Sequence, residues 1–340
     1  MKARARFILP ALAGTALAAM LAGCGLTSPH SPGAATPGQN APSKAPAPMR
    51  TSPSSSLPYN MSGLLDPTGG KFFGVEAQDA PALAPVTAFA ASAGRKPDLI
   101  GQYLAWDSSF DSRAVAAAWS YGAMYYIAWE PYDTSVQAIA DGQSDAYIRK
   151  FAGEVHALNL PVAISFGHEM NGNWYPWGTG QATASAFVAA WRHIHDLFIQ
   201  AGASNVIWVW NPNIINPVPQ VQLSLYWPGD AYVDWVGVTG YFPTTGPETF
   251  TSVYGPTMAE VRQITTKPII IAETSVETGP SDVQAVDSLV SGVRRHHRVL
   301  GFIWFDFNKD GVNWQLETRP GLSATLAADV ANLPLIDPKR

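Results

Sequence analysis

Eight short, almost continuously apolar runs recur along residues 61–340, and an interval with helical patterning separates each from the next. They cover residues 72–77, 99–106, 123–129, 161–166, 205–210, 233–241, 268–272 and 299–305. Runs this short that do not alternate with polar residues are strands buried on both faces, as in a parallel sheet. Parallel neighbours need crossovers, and the intervals supply them. Residues 182–201 place Phe187, Trp191, Ile194 and Phe198 at a 3.6-residue period, with Gly202 as a stop signal. Residues 144–159 repeat the pattern through Tyr147, Ile148, Phe151, Val155 and Leu158, and residues 282–297 through Val283, Val286, Leu289, Val290 and Val293. Weaker helical patterns fit 81–93, 112–121 and 322–332, while the Pro-rich 218–229 predicts only a short helix. Eight strand–helix units in one domain predict a single α/β domain, a (β/α)₈ barrel over 61–340. A doubly wound open sheet is the alternative, but no Gly-rich phosphate loop follows the first run.

The start of the chain is set aside from fold reasoning. Lys2, Arg4 and Arg6 form a basic segment, residues 7–20 are apolar, and Leu21-Ala22-Gly23-Cys24 fits the bacterial lipobox. The expectation is a signal peptide over 1–23 and a lipid on Cys24, which makes the protein an extracytoplasmic, membrane-anchored lipoprotein of the cell envelope. Cys24 is the only cysteine, so once lipidated it leaves no thiol for a disulfide or a metal site. No later stretch reaches the roughly 20 apolar residues that span a bilayer. Residues 24–60 read as a tether. Within 27–59 there are eight prolines, and most other positions are Ser, Ala, Thr or Gly, too few apolar groups to offset the entropy of ordering.

Composition narrows the ligand. Loss of Lys2, Arg4 and Arg6 takes the formal charge from −5 to −8. A mildly acidic chain with no basic run argues against nucleic acid. Charged residues are 14%, against 12 Trp and 12 Tyr, which favours a neutral ligand recognised by aromatic faces. Barrel enzymes build their sites at the C-terminal strand ends, and the ends here are rich in acids, amides and aromatics: Trp106-Asp107, Trp129-Glu130, His168-Glu169 with Asn171, Trp174 and Trp177, Trp210-Asn211, Tyr241-Phe242, Glu273, and Trp304-Phe305-Asp306. Indoles beside a carboxylate suit the flat C–H face of a pyranose. Two carboxyls on two strand ends, Glu169 and Glu273, are the minimum equipment for hydrolysing a glycosidic bond. Trp191, Trp208 and Trp235 read as core by periodicity. His193 and His195 face different directions on a helix and make a poor metal site. His296 and His297 with Arg294, Arg295 and Arg298 read as helix-end charge.

The string His168-Glu169-Met170-Asn171-Gly172 with Trp174 and Pro176-Trp177, together with Ile271-Ala272-Glu273-Thr274, resembles glycoside hydrolase family 26 over about residues 68–335. That family belongs to a clan of retaining (β/α)₈ hydrolases with the acid/base after the fourth strand and the nucleophile after the seventh. It differs from most of the clan in having histidine, not asparagine, before the acid/base. The resemblance implies that Glu169 is the general acid and then base, and Glu273 the nucleophile, with Tyr241 donating to it. It also implies that His168 orients Glu169 or the sugar, and that Trp304 is the floor beneath that sugar. Trp174, Trp177 and Trp129 are candidate walls of neighbouring subsites, and Asn171 and Asn211 further substrate contacts. Glu169 must hold a proton near neutral pH and Glu273 must not. Retention, which requires carboxyls about 5–5.5 Å apart against roughly 6.5–9.5 Å for inversion, is likewise implied by the resemblance.

The expected activity is that of an endo-β-glycanase on β-1,4-mannan or a related mannose-containing polysaccharide. Relatives of the resembled family also cut β-1,3-xylan and mixed-linkage β-glucan, so these stand as alternatives. Two others are a surface lipoprotein that binds glycan without cutting it and an enzyme tailoring the producer's own envelope polysaccharide. No cofactor or metal is expected, the partners are a polysaccharide or oligosaccharide and the membrane, and the protein is expected to be a monomer.

Overall fold

The computed structural model describes residues 59–67, 69–215, 221–244, 249–309 and 311–339. These belong to one compact unit, Pro48–Arg340. The expected signal peptide, Cys24 and the tether as far as residue 58 lie outside the described residues.

A short helix α1 (Met61–Leu65) precedes strand β1 (Phe72–Ala77). There follow α2 (Leu83–Ser92), β2 (Leu99–Ala105), α3 (Ser112–Tyr121), β3 (Met124–Glu130), α4 (Val136–Ala140), α5 (Asp145–Leu158), β4 (Val162–Phe166), α6 (Ala184–Gln200) and β5 (Val206–Trp210). The chain continues through two 3₁₀ turns (Leu223–Tyr226 and Asp230–Tyr232), β6 (Trp235–Thr239), α7 (Phe250–Ile264), β7 (Ile269–Thr274), α8 (Asp282–Arg295) and β8 (Val299–Asp306). A small hairpin of β9 (Asn308–Lys309) and β10 (Val312–Asn313), a 3₁₀ turn and α9 (Pro320–Val330) close the sequence of elements. The eight long strands pair in parallel and in order, and β8 pairs with β1 to close the barrel. The predicted (β/α)₈ barrel is the observed fold, and all eight apolar runs are its strands.

Helix α7 is absent from the sequence reading. Gly255 and Pro256 lie inside it and read locally as a break. A capping box at Thr249 and Ser252 starts it, and Val253, Tyr254, Thr257 and Val261 pack its inner face against the barrel. Burial of that face outweighs the hydrogen bond lost at Pro256.

Alternation along each strand sorts the apolar residues into two layers. Phe72, Leu99, Met124, Tyr126, Ile207, Trp235, Ile270 and Ile303 belong to the cluster that fills the barrel. Phe73, Ile100, Trp129, Phe166, Trp208, Ile271 and Trp304 belong to the cluster between barrel and helices. Two register irregularities decide what reaches the upper opening. Gly237 and Thr239 of β6 face Ile270 and Glu273 of β7, so β7 carries one extra residue there. Strict alternation after the inward Ala272 would turn Glu273 out, and the extra residue turns it in. Likewise Ile269 and Ile271 of β7 face Val299 and Phe302 of β8, so β8 gains a residue around Gly301. A side chain at Gly301 would collide with the backbone of Phe72. This second bulge reverses the phase of β8, so that Trp304 faces the helices and Phe305 the opening.

Candidate active site

Strand β4 ends at Phe166, and the chain turns sharply through Gly167 (φ 56°) to Glu169 (φ 55°). Left-handed backbone is costly for a glutamate, of order 1–2 kcal/mol. The Glu169 amide donating to the Asn211 carbonyl at 2.7 Å helps to hold it. The turn delivers a carboxyl that is only 7% exposed. Trp174 Nε1 donates to Glu169 Oε2 at 2.7 Å, and Asn213 Nδ2 donates to Oε1. A side chain at Gly172 would collide with the Trp174 ring, so this glycine lets the indole lie over the backbone.

On the opposite side Glu273 is 8% exposed. Tyr103 of β2 donates its hydroxyl to Oε2 at 2.6 Å, and Tyr241 donates to Oε1. These two phenols meet the geometry required for a carboxylate that must stay ionised. Burial raises both acids, and they differ in what opposes it. Burial pushes Glu169 up to about 8, and the charge of Glu273 adds to that, while the Asn213 and Trp174 hydrogen bonds and the positive charge of Lys309 pull it down in part. Burial also raises Glu273, against which stand the Tyr103 and Tyr241 hydrogen bonds and the positive charge of Lys309. Glu273 therefore ionises first and Glu169 keeps its proton.

Two more carboxyls join them. Glu76 of β1 is 1% exposed, and its Oε2 lies 3.0 Å from the Tyr103 oxygen. Glu130 at the end of β3 is pushed up to about 7 by burial and by Glu273, against Lys309. His168 is fully buried, with Nε2 3.3 Å from the Tyr175 hydroxyl and 4.0 Å from Glu130. Burial, with the charge of Lys309, lowers it to about 3, so the imidazole is neutral. It contacts Tyr175 and Glu130, while Asn213 and Trp174 hold Glu169.

The other expected contacts divide. Asn171 grips the Asn213 backbone in both directions at 2.8 Å, so it sets the position of a donor to Glu169. Asn211 is buried beneath the site between Tyr126 and Thr239. Trp129 does not wall a subsite: it is fully buried, stacks on Phe151 at 4.5 Å and donates to Tyr147. Trp177 is equally buried and donates to the His168 carbonyl at 2.7 Å, with Tyr175 stacked on it at 4.5 Å. Trp304 is not the floor of a sugar site: it is 0% exposed in the layer beneath the helices. Other aromatic side chains reach the opening from the end of β8 and the segment after it. Phe305 stacks on Phe307 at 4.4 Å, and Trp314, brought back by the hairpin, lies 5.1 Å from Tyr241.

Glu76, Tyr103, Asn213 and Trp314 escaped the sequence reading. A lone acid in an otherwise apolar strand was a usable signal for Glu76. Nothing local marks Asn213 or Trp314, which arrive through a turn and a hairpin.

An eight-stranded parallel barrel with two buried, hydrogen-bonded carboxyls at its C-terminal opening points to the class of barrel glycoside hydrolases. Residues 118–278 match the model of glycosyl hydrolase family 26. The chain is 32% identical over 254 residues to endoglucanase H of Acetivibrio thermocellus, covering 71% of this chain and 28% of that protein. It is 33% identical over 99 residues to mannan endo-1,4-beta-mannosidase A and B of Caldalkalibacillus mannanilyticus, covering 27% of this chain and 18% of that protein. In structure it resembles the catalytic domain of the family 26 endo-beta-1,4-mannanase of Bacillus sp. JAMB-750, with TM-score 0.66, 17% identity, and coverage of 84% of this chain and 92% of that one. The chain belongs to glycosyl hydrolase family 26. It spans less than a third of the length of these two curated relatives.

Proposed function

We propose that this protein is a retaining endo-β-glycanase whose first substrate class is β-1,4-mannan or a related mannose-containing polysaccharide. The observation that carries the reading is the pairing of Glu169, which keeps its proton up to about 8, with Glu273, which accepts from two phenols. Glu169 gives its proton to the leaving oxygen as Glu273 attacks the anomeric carbon. A glycosyl ester forms on Glu273, and the deprotonated Glu169 then takes a proton from the water that releases it. The neutral His168 and the Tyr241 hydroxyl border the sugar at the cleavage point, and Trp314 offers it an aromatic face. Trp174 borders the leaving side.

A β-glucan is the second reading. The relative named endoglucanase H aligns over 71% of this chain, against 27% for the mannosidase. We further propose that residues 1–23 are removed, that Cys24 is lipidated, and that residues 24–60 tether a monomeric domain, 61–340, to the outside of a bacterial membrane. The basic, apolar and lipobox segments of the sequence support this.

The test is hydrolysis of β-1,4-mannan, glucomannan, mixed-linkage glucan and β-1,3-xylan by the full chain, beside a Glu273→Gln control. Release of short oligosaccharides from mannan or glucomannan, lost in the control, is the expected result. Cleavage confined to the mixed-linkage polymer moves the assignment to the second reading. A folded protein silent on all four refutes both. For the anchor, a Cys24→Ala variant is expected to leave the membrane fraction, and wild-type protein found only in the soluble fraction counts against it.

A further inference from the structure

Tyr103 stands between two carboxyls. Its oxygen is 2.6 Å from Glu273 Oε2 and 3.0 Å from Glu76 Oε2. A phenol has one hydrogen to donate. Short O–H···O contacts near 2.6 Å are those of a phenol donating to a charged carboxylate, so the hydrogen of Tyr103 belongs to Glu273. The contact with Glu76 then lacks a hydrogen unless Glu76 provides it. Two ionised carboxylates would leave one buried oxygen facing the phenol oxygen with nothing between them.

The surroundings agree. Glu76 is 1% exposed, and among the described residues it has no ion pair with a basic side chain. Its neighbours on the two adjoining strands are Gly101 and Phe305, to which it is registered on β2 and β8. A side chain at Gly101 would collide with Glu76 Cγ, so β2 is cut away to admit this one polar group. The titratable groups around Glu76 are Glu273 of β7, Tyr103 of β2, Glu130 and Tyr126 of β3, Glu169 after β4 and Tyr241 after β6, and none is cationic. Burial and the charge of Glu273 both hold Glu76 well above the usual carboxylate range. Among the described residues the one cation acting on this group of acids is Lys309, which lowers Glu130, Glu169 and Glu273.

We propose that Glu76 is a standing carboxylic acid that donates to the Tyr103 oxygen, so that Glu76, Tyr103 and Glu273 form a one-way hydrogen-bond relay that keeps Glu273 ionised. Glu76 touches neither substrate nor the reacting atoms. It is a positioning residue acting through Tyr103, and this rests on the reading of Glu273 as nucleophile. A donor bonded to a phenol oxygen makes that phenol a better donor in turn. The relay delivers the effect of a buried proton to Glu273 without adding a charge to the cleft.

The test compares Glu76→Gln with Glu76→Leu. Glutamine is neutral, nearly the same shape, and can donate to Tyr103 as the acid does. Its rate is expected within about threefold of wild type. The acid limb of the kcat/KM profile, which reports ionisation of Glu273 in the free enzyme, is expected to stay in place. Leucine removes the donor and weakens Tyr103, so the rate falls about tenfold and the acid limb moves to higher pH. An ionised Glu76 predicts the opposite sign. Either substitution would then delete a negative charge beside Glu273 and move the limb to lower pH, and that result overturns the relay.

A second measurement does not need a substrate. The infrared difference between wild type and Glu76→Gln at pH 7 is expected to contain the C=O band of a protonated carboxyl, and a carboxylate band in its place overturns the proposal. Inactivity on every glycan would refute the proposed function while the infrared result still decides the protonation of Glu76. If Glu76→Leu fails to fold, the glutamine variant and the infrared spectrum decide alone.

Discussion

The ends of β4 and β7 solve opposite problems with similar burial. Glu169 sits on a left-handed turn beyond its strand, with an indole N–H on one oxygen and an amide on the other. Glu273 sits within its strand, turned inward by a bulge, with two phenols on its oxygens. Among the described residues neither carboxyl has an ion pair with a basic side chain, and the charge of Lys309 lowers both, so the difference in proton affinity comes from donors and from the order in which coupled acids ionise. Glu273, once charged, helps to keep the proton on Glu169. One barrel thus holds an acid and a carboxylate at the same pH by neutral hydrogen bonds and mutual repulsion.

The contrast can be broken outright by removing either member. Glu273→Gln is expected to cut kcat by about 10³-fold or more. Glu169→Gln is expected to cost roughly 10²–10⁴-fold on polysaccharide, and much less on an aryl glycoside whose leaving group needs no proton. Equal losses on both substrates would refute the assignment of Glu169 as the acid.

A smaller change separates two tryptophans. Trp314→Ala is expected to lower kcat/KM by about 10–100-fold with little change in Tm, because the indole borders the opening beside Tyr241. Trp304→Ala is expected to destabilise by about 3–5 kcal/mol, because its indole fills the dry layer under the helices. If Trp304→Ala raised KM in a protein of normal Tm, the outward orientation of Trp304 would be wrong.

Sharpening the β4 side alone, Trp174→Phe deletes a donor to ionised Glu169. The alkaline limb, expected near 8 in the wild type if Glu169 is the acid, is expected to move up in pH as kcat falls about tenfold. A limb that stays in place would mean that Trp174 does not act on Glu169.

The mildest effect is on stability. Glu130 and Glu169 are raised to about 7 and about 8, so between about pH 4.5 and 8 the folded protein binds more protons than the unfolded chain. Stability is then full below the unfolded carboxylate range and falls as pH rises through the folded values. Tm is expected to drop by roughly 5 °C from pH 5 to pH 8. A Tm that rises across this window would contradict the raised values.

Periodicity made the barrel legible because each strand is buried on both faces and each long helix on one, and those patterns need only local sequence. It failed at α7, where Gly255 and Pro256 read as a break although packing supports the helix. The two catalytic candidates were legible because acids at strand ends stand out against apolar runs, and the string around Glu169 is distinctive. The aromatic contacts were much less so. Trp129, Trp177 and Trp304 looked like sugar platforms by their place in the chain, yet each is buried with apolar neighbours.

The sequence by itself determined the strand count, their parallel order, and the two strands that carry Glu169 and Glu273, since hydrophobic period and strand-end chemistry are local properties. Tertiary structure alone decided which way the strand ends face. One extra residue in β7 turns Glu273 into the opening, and one in β8 turns Trp304 out of it. A side-chain period of two makes every inward assignment hostage to a single added residue, and the addition appears only against the neighbouring strand. The same closure brought Glu76 and Tyr103 to Glu273, and the hairpin after β8 brought Trp314 to Tyr241.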